Sequence, residues 1–275
     1  MIISARVHDF ECQDDNIKET FKQIKACGYD GIQLAPAKIL STIKDIYHIE
    51  DQHIDVLKSN LNDLEIAVYG CYIQPALSNE VEREKEVITF IKNLSYAKKL
   101  DVRVVGSETT HFPINGLGRE VAYQYCLDSV KQMVKEAEKL DLIVAIEPTR
   151  EHVLNDAKIT RRLIDEVNSK HLKIIFDAAD FVLPNEVHQQ RLILEEAFEL
   201  LKDYIVVAHL KNYQIVDNQK VWVELNQGFI NFDYVLSQLM KINCDMPVVI
   251  ENATRSSDQA NIKYIKEIES KFKEK

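Results

Sequence analysis

The sequence predicts one (β/α)8 barrel spanning residues 1–275, and three observations lead to this α/β fold class. Apolar runs typical of buried parallel strands alternate eight times with stretches of helical periodicity. The length of 275 residues suits a TIM barrel, which takes about 250 residues. Four strands in the second half each end in an acid or a histidine, at intervals of roughly 30 residues or more, as βαβ repeats require. A closed barrel would bring these four side chains together.

The first half of the chain contains four predicted strands. They are short apolar runs at residues 2–7, 31–36, 65–73 and 102–106, bounded by Gly, Pro or polar residues. Gly28 stands where the first helix should stop, because glycine accepts the left-handed backbone of a helix C-cap. Apolar residues at helical spacing predict helices around residues 17–24, 54–61, 81–99, 121–140, 159–167, 192–201, 234–240 and 262–272.

The second half repeats the pattern, and here each strand leads into a side chain able to bind a metal ion. The apolar run Leu142–Ile146 leads into Glu147, which is followed at once by Pro148. Active sites of this fold are built at the carboxyl ends of the strands. The other three strands end in the same way, with Leu172–Phe176 before Asp177, Ile205–Ala208 before His209 and Pro247–Ile250 before Glu251.

Closure into a barrel is favoured over an open sheet. Four neighbouring strand ends of an open sheet would spread over about 14 Å, because strands lie roughly 4.8 Å apart. A barrel instead curls them toward a common axis. The sequence has no GxGxxG after its first strand and no phosphate-binding GxxxxGKS or GxxxxGKT, so the open-sheet nucleotide folds lose their main support.

Composition favours a protein that acts on small molecules in the cytoplasm. The net charge of −10 and the pI of about 5.4 disfavour nucleic acid and anionic membrane surfaces as partners. The five cysteines are odd in number and scattered, which disfavours a disulfide framework or a structural zinc site. The N-terminus lacks the features of a signal peptide, and no apolar run reaches the length of a membrane helix. A cytoplasmic location is therefore expected.

Glu147, Asp177, His209 and Glu251 form a set of mostly oxygen ligands. Such a hard set favours one divalent ion of Mn²⁺, Mg²⁺ or Co²⁺, with catalytic Zn²⁺ as an alternative. For each acid taken alone there is a structural alternative, because a carboxylate at a strand end often only caps the next turn. Four such side chains at four consecutive strand ends favour a shared metal site.

Five short motifs carry a resemblance to a known family. They are Ile146-Glu147-Pro148, Phe176-Asp177-Ala178-Ala179-Asp180, Ala208-His209-Leu210-Lys211-Asn212, Leu225-Asn226-Gln227-Gly228 and Ile250-Glu251-Asn252. With weaker similarity at residues 28–34, the chain resembles the xylose isomerase-like barrels, the sugar phosphate isomerases and epimerases. That superfamily includes ketose 3-epimerases, inosose dehydratases and, more distantly, endonuclease IV of AP endonuclease family 2. The resemblance implies a TIM barrel of carbohydrate metabolism, a divalent metal and a small sugar or polyol substrate.

The resemblance also implies roles for the four candidate ligands. In epimerases of this family two glutamate ligands act as an acid/base pair on opposite faces of the substrate, a role that falls here to Glu147 and Glu251. Asp177 and His209 would complete the metal site. One carboxylate would remove a proton from carbon, and the other, across the mouth of the barrel, would return it to the opposite face.

Two departures from the family pattern bear on the substrate. Many members have a histidine three residues after the metal-binding aspartate, where this chain has Asp180, so a contact to substrate hydroxyls is kept while an imidazole is lost. Endonuclease IV has an Asp-x-His motif before its glycine turn, where this chain has Lys220 and Trp222. Together with the net charge, this difference disfavours DNA repair.

Further polar side chains are predicted to bind substrate. Lys211 faces the same way as His209 by strand alternation and suits a phosphate or a carboxylate; the alternative is a solvated lysine. Gln74 and Glu108 follow predicted strands three and four, and His8 follows the first strand. For each of these the alternative is an ordinary loop residue.

Two more residues flank the predicted mouth. Arg255 follows the strand that bears Glu251 and suits a bidentate contact to an anion, with a surface ion pair as the alternative. Trp222 lies between His209 and Gly228, in a segment predicted to form a flap. There it suits stacking on the apolar face of a sugar, or simple packing.

The leading hypothesis is a divalent-metal-dependent isomerase or epimerase of a sugar or sugar phosphate. A lyase of the inosose or dehydroshikimate dehydratase type shares the proton abstraction and is the second hypothesis. The third is a non-catalytic barrel that binds a small molecule. Retention of both Glu147 and Glu251 favours an enzyme. A homo-oligomer is compatible with the sequence, which does not identify the substrate.

Overall fold

The computed structural model contains the predicted closed parallel barrel and describes residues 1–12, 16–61, 63–217, 219–252 and 255–274. Around the barrel the order is β1, β2, β3, β4, β5, β6, β7 and β10, which returns to β1. The fourth strand ends at Glu108 rather than at Gly106. The barrel strands are β1 (Ile2–Arg6), β2 (Gly31–Leu34), β3 (Glu65–Gly70), β4 (Val104–Glu108), β5 (Ile143–Glu147), β6 (Leu172–Asp177), β7 (Ile205–Leu210) and β10 (Pro247–Ile250).

Nine helices lie within the described ranges, one more than the sequence predicts. The additional helix, α6, has four residues and begins directly after β6, too short to show a helical period. Gly28 ends α1 with φ of 97°, as predicted. No helix in the described part of the chain is long and apolar enough to cross a membrane. The helices are α1 (Ile17–Cys27), α2 (Asp51–Asn60), α3 (Glu80–Lys99), α4 (Arg119–Leu140), α5 (Ala157–Val167), α6 (Ala178–Phe181), α7 (Gln190–Leu201), α8 (Phe232–Ile242) and α9 (Arg255–Lys273).

The segment predicted to be a flap contains an antiparallel hairpin. Its strands are β8 (Asn212–Val216) and β9 (Gln219–Val223), which come after β7 and the single residue Lys211. Trp222 on β9 is 40% exposed and lies edge-on to the buried ring of Tyr213, with 6.4 Å between ring centroids. The hairpin therefore leaves much of an indole exposed beside the barrel.

Asn212 fixes the base of this hairpin. Its side-chain amide donates to the carbonyls of Leu225 and Ile230 at 2.7 and 3.0 Å, and its Oδ1 accepts from the Ile230 N–H at 3.0 Å. A Cβ on Gly228 would lie 2.1 Å from Asn212 Oδ1. The glycine in the motif at 225–228 is therefore required by the side chain that packs against it.

An apolar layer lies inside the barrel, below the candidate ligands. This layer contains Ala145, Ile175, Val207 and Val249. Because side chains of a strand alternate between its two faces, the residues two positions further along point into the barrel as well. Those residues are the four predicted metal ligands, so the apolar layer is the floor of the candidate site.

Candidate functional site

The four candidate ligands lie together at the carboxyl end of the barrel, which we call the mouth. Glu147 and Asp177 are the last residues of β5 and β6, His209 is next to last in β7, and Glu251 directly follows β10. They are 2%, 0%, 1% and 7% exposed, in that order. Ligand atoms of Glu147, Asp177 and His209 all lie within 4.8 Å of one another. The structure thus brings the predicted set together.

Both glutamates approach the same nitrogen of His209. His209 Nδ1 lies 2.9 Å from Glu147 Oε1 and 3.3 Å from Glu251 Oε1. The two carboxylate oxygens cannot be further apart than the sum of these distances, although β5 and β10 are three strands apart. The carboxylates therefore reach inward from opposite sides of the site to a common centre.

Asp177 divides its two oxygens between two roles. Its Oδ1 accepts from the Ala179 N–H at 2.8 Å and caps α6, which is the structural alternative considered for a single acid. Its Oδ2 is buried and has no hydrogen bond, and the same is true of His209 Nε2. Buried polar atoms nearly always have partners. A carboxylate oxygen and an imidazole nitrogen without hydrogen bonds, within a set of three carboxylates and an imidazole, fit a divalent cation.

Lys211 places a buried ammonium beside the candidate ligands. Its Nζ lies 2.9 Å from Asp177 Oδ2, 2.9 Å from Asp180 Oδ2 and 3.4 Å from Glu251 Oε2. The contact to Asp177 lacks the angles of a hydrogen bond, so it is an ion pair only. Lys211 and the four candidate ligands together are called the charged cluster below. Three carboxylates therefore share the charge of Lys211.

Arg6 contacts the charged cluster, and the sequence analysis did not predict this contact. The guanidinium lies 3.2 Å from Glu251 Oε2, pairs with Asp9 at 2.7 Å and donates to Asn252 Oδ1 at 2.6 Å. Asp9 in turn accepts from the Asn252 N–H at 2.9 Å. Arg6 ends β1 and points into the barrel like Ser4, two residues before it. This alternation along the strand could have identified Arg6 from the sequence. Arg6 fixes Glu251, which lies beyond the end of its own strand.

The protonation states of Asp177, His209 and Glu251 depend on burial and on the charges of their neighbours. Burial raises the pKa of Asp177 to about 8, although the charge of Lys211 opposes the shift. Burial disfavours the charged form of His209, but Glu147 and Glu251 outweigh it and raise its pKa to about 9. For Glu251, burial is outweighed by the charges of His209, Lys211 and Arg6, which hold its pKa below the ordinary value. Glu251 is therefore ionised, while Asp177 and His209 bind protons at neutral pH.

Two of the predicted substrate-binding residues lie near the charged cluster on other strands. Glu108 pairs with Glu147 in the β4–β5 register, and its side chain is 41% exposed. Burial, together with the charges of Glu147 and Asp180, raises the pKa of Glu108 to about 7. His8 follows β1 and has a buried Nδ1 without a partner; burial and the charge of Arg6 lower its pKa to about 3. His8 is therefore a neutral hydrogen-bonding group.

Gln74 and Arg255 are the remaining predicted substrate-binding residues. Gln74 is exposed, and its backbone N–H donates to Glu86 Oε2 at 3.0 Å. Among the described residues, no hydrogen bond connects the Gln74 side chain to the cluster. Arg255 begins α9, but its side chain lies outside the described part of the structure. Their substrate contacts therefore stay predictions.

Lys38 and Tyr72, which sequence reasoning missed, lie beside Gln33 of β2. Lys38 Nζ lies 4.0 Å from the centroid of the Tyr72 ring, and Gln33 Nε2 donates to Tyr72 Oη. The Oε1 of Gln33 is buried without a partner. Lys38 ends a single turn of 3-10 helix and Tyr72 lies in a loop, so no periodicity in the sequence marks either residue.

Comparison with known proteins agrees with the predicted family and fold. The model of the xylose isomerase-like TIM barrel family matches residues 21–270. D-psicose 3-epimerase from Enterocloster bolteae is 20% identical over 257 residues, which cover 88% of this chain and 80% of that protein.

Two solved structures have the same fold over nearly the whole chain. A D-tagatose 3-epimerase-like protein superposes with a TM-score of 0.80 and 18% identity, covering 100% of this chain and 99% of its own. The IolI protein, solved with a zinc atom, gives a TM-score of 0.77 and 17% identity, with 99% of each chain covered. At these identities the structures establish the fold alone.

Proposed function

The chain belongs to the xylose isomerase-like TIM barrel family, and on this premise we propose that it is a divalent-metal-dependent isomerase or epimerase of a sugar or sugar phosphate. One observation carries the proposal. Two buried glutamates, Glu147 and Glu251, approach a common histidine nitrogen at 2.9 and 3.3 Å. A pair of carboxylates from opposite sides of one site is what proton transfer to and from two faces of a carbon requires.

Glu147, Asp177, His209 and Glu251 are the proposed metal ligands. The set favours Mn²⁺, Mg²⁺ or Co²⁺, and Zn²⁺ is the alternative. When bound, the ion supplies positive charge that polarises a substrate carbonyl and its neighbouring hydroxyl, which makes the adjacent carbon-bound proton more acidic. The buried Asp177 Oδ2 and His209 Nε2, which have no hydrogen bonds, support this assignment.

Glu147 and Glu251 are proposed to move the proton. One carboxylate accepts the proton from the carbon next to the carbonyl, and the electron pair passes to the carbonyl oxygen. The electron pair then returns from that oxygen to the carbon. The other carboxyl group, which carries a proton at this stage, donates it to the opposite face of the same carbon and is left as a carboxylate, so that the configuration of the carbon is inverted. The charges of His209, Lys211 and Arg6 hold Glu251 ionised, so Glu251 is present as the carboxylate.

The lyase hypothesis differs from this proposal in the step that follows proton abstraction, and the binding-protein hypothesis differs in having no proton abstraction. A dehydratase removes the same proton and then loses a hydroxyl group, whereas a binding protein removes none. The two buried carboxylates favour proton transfer over binding alone. They do not distinguish epimerisation from dehydration, so the products must be identified.

Solvent deuterium incorporation tests the proposal. Protein reconstituted with Mn²⁺ or Co²⁺ would be incubated in D₂O with a panel of ketoses and inososes, and NMR would follow exchange at the carbon next to the carbonyl. We expect exchange with one substrate group, together with its epimer or isomer as product. A Glu84→Gln variant, altered on the exposed face of α3, is the matched control.

The outcomes separate the three hypotheses. An unsaturated product with loss of water would assign the lyase reaction instead. Binding of a sugar without exchange, in protein that holds its metal, would contradict both enzymatic hypotheses. Stoichiometric metal in the control and the wild type establishes that the comparison is valid.

A further inference from the structure

We infer that the side of the mouth formed after β1, β2 and β3 is a binding subsite for an anionic end group of the substrate, with Lys38 as its cation. The chemical class is a hydroxylated chain that ends in a phosphate or a carboxylate. This inference rests on the proposed function, since the chain would extend from the reacting carbon at the charged cluster to Lys38. Lys38, rather than Lys211, would bind the anionic group.

The contrast between the two lysines is the first step. Lys211 contacts three carboxylates at 2.9, 2.9 and 3.4 Å, so its charge is already neutralised within the protein. Lys38 ends the turn Pro36–Lys38 after β2 and lies over the Tyr72 ring. No carboxylate in the described ranges forms an ion pair with it. Of these two lysines, Lys38 retains a charge that a ligand can pair.

The position of Lys38 relative to the reaction centre is the second step. Gln33, which donates to Tyr72 Oη, lies opposite Arg6 in the β1–β2 register. The Arg6 guanidinium is 3.2 Å from Glu251 Oε2. Lys38 lies over the ring of the same Tyr72. The Lys38–Tyr72 pair stands beside the charged cluster.

Two buried polar atoms between the pair and the cluster are the third step. Gln33 is fully buried, donates through Nε2 to Tyr72 Oη and leaves its Oε1 without a partner. His8 likewise has a buried Nδ1 without a partner. Buried atoms of this kind are normally satisfied. Hydroxyl groups of a polyol chain that passes toward Lys38 would satisfy both of them.

The nature of the end group is determined by charge. Lys38 is exposed, and a neutral sugar would offer its ammonium no charged partner. A phosphate or carboxylate oxygen would form a charge-assisted hydrogen bond with it. The carboxylates near the cluster would repel such a group, so a cation is needed on that side. Lys38 supplies it.

A matched set of ligands tests the inference. Isothermal titration of the metal-loaded full chain would compare a ketohexose, its 6-phosphate and the corresponding 6-carboxylate. Wild type should bind at least one anionic form more tightly than the neutral sugar. Lys38→Met should weaken that binding by about tenfold to a hundredfold and leave the neutral sugar within about twofold. Lys38→Arg should restore most of the loss, and Lys131→Met, on the exposed face of α4, should change nothing.

Each result has a defined meaning. The preferred anion identifies the end group as phosphate or carboxylate. Equal affinity of wild type for neutral and anionic sugars, or equal losses on all three ligands in Lys38→Met, would overturn the inference. The proposed function is judged separately by metal stoichiometry and deuterium exchange, because either can succeed while Lys38→Met fails to discriminate.

Discussion

The two halves of the mouth differ in how their charged groups are paired. From β5 to β10, Lys211 contacts both Asp177 and Glu251, and Glu251 is also fixed by Arg6 from the adjacent strand β1. After β2, Lys38 is exposed and lies over the Tyr72 ring, and no carboxylate among the described residues forms an ion pair with it. The buried Oε1 of Gln33, on β2, has no hydrogen-bond partner. The first half is suited to hold a fixed charge pattern for chemistry, whereas the second is suited to recognise a ligand.

This difference has a physical reason. Groups that must keep a perturbed protonation state need neighbours that are already in place, because an ionised carboxylate away from water is stable only when it is paired. Groups that recognise a ligand must keep hydrogen-bonding capacity that only the ligand can satisfy. Substitutions should therefore divide into those that damage metal binding and turnover and those that alter substrate preference.

The largest effect is expected from removal of a metal ligand in the paired half. Wild type should hold about one divalent ion per chain, because four ligands leave positions for substrate. Asp177→Asn retains an N-cap for α6 but loses the charged oxygen, and His209→Ala loses the imidazole. Both should abolish stoichiometric metal and turnover. Elemental analysis after reconstitution checks this, with circular dichroism to confirm folding. Wild type without stoichiometric metal would remove the basis of the proposed site.

The next effect concerns the two glutamates separately. Glu147→Gln and Glu251→Gln each keep one ligand oxygen and remove a proton-transfer group, so turnover should fall by roughly 10²–10⁴ while part of the metal is retained. One variant should still exchange the substrate proton with solvent, because the remaining carboxylate can remove and return it on its own face. Steady-state rates and deuterium exchange measure both. Near-normal turnover in both metal-loaded variants would exclude the two-glutamate mechanism.

A pH effect should distinguish the paired half further. Asp177 and His209 have raised pKa values of about 8 and about 9, so in the metal-free protein both bind protons near neutral pH, and a metal must displace them. Affinity for Mg²⁺ should therefore rise with pH and level off once both values are passed. The rise approaches about tenfold per pH unit for each proton displaced. Titration calorimetry in buffers of different ionisation enthalpy counts the protons; affinity that is independent of pH would contradict the prediction.

The smallest effect is expected at Lys211. Its ammonium is an internal competitor for Asp177 and Glu251, so Lys211→Met should bind a divalent ion more tightly, by about tenfold. Co²⁺ titration followed by visible absorption measures the affinity, with Lys131→Met as a control. Weaker binding in Lys211→Met would instead show that the ammonium holds the ligands in position. Comparison of phosphorylated and unphosphorylated substrates in the same variant tests the anion contact predicted for Lys211.

The parts of the molecule with a local period could be predicted from the sequence. The apolar run before Glu147 marks a strand buried on both faces, and alternation correctly places Lys211 on the same side as His209. Strand order follows from the alternation with helices. For these residues the rules act within a few positions along the chain, so no tertiary information is needed.

Other parts depend on contacts that the sequence does not encode locally. Lys38 and Tyr72 meet only because β2 and β3 are neighbours and the segments after them fold back over the mouth. The hairpin had an overlooked signal, since Tyr213 and Ile215 alternate with polar residues before a turn at Asp217, where φ is 50°. The division of labour between the two oxygens of Asp177 is visible only in three dimensions.

Lys211, the single residue between β7 and β8, connects the hairpin to the charged cluster. Lys211 is flanked by the end of the barrel strand and by Asn212, whose side chain fills the space that a Cβ on Gly228 would occupy. A larger residue at 228 would push on Asn212, and the displacement would reach the ammonium beside Asp177 through one peptide unit. A substitution at this partly exposed turn would thus displace Lys211 and disturb its contacts with the buried carboxylates.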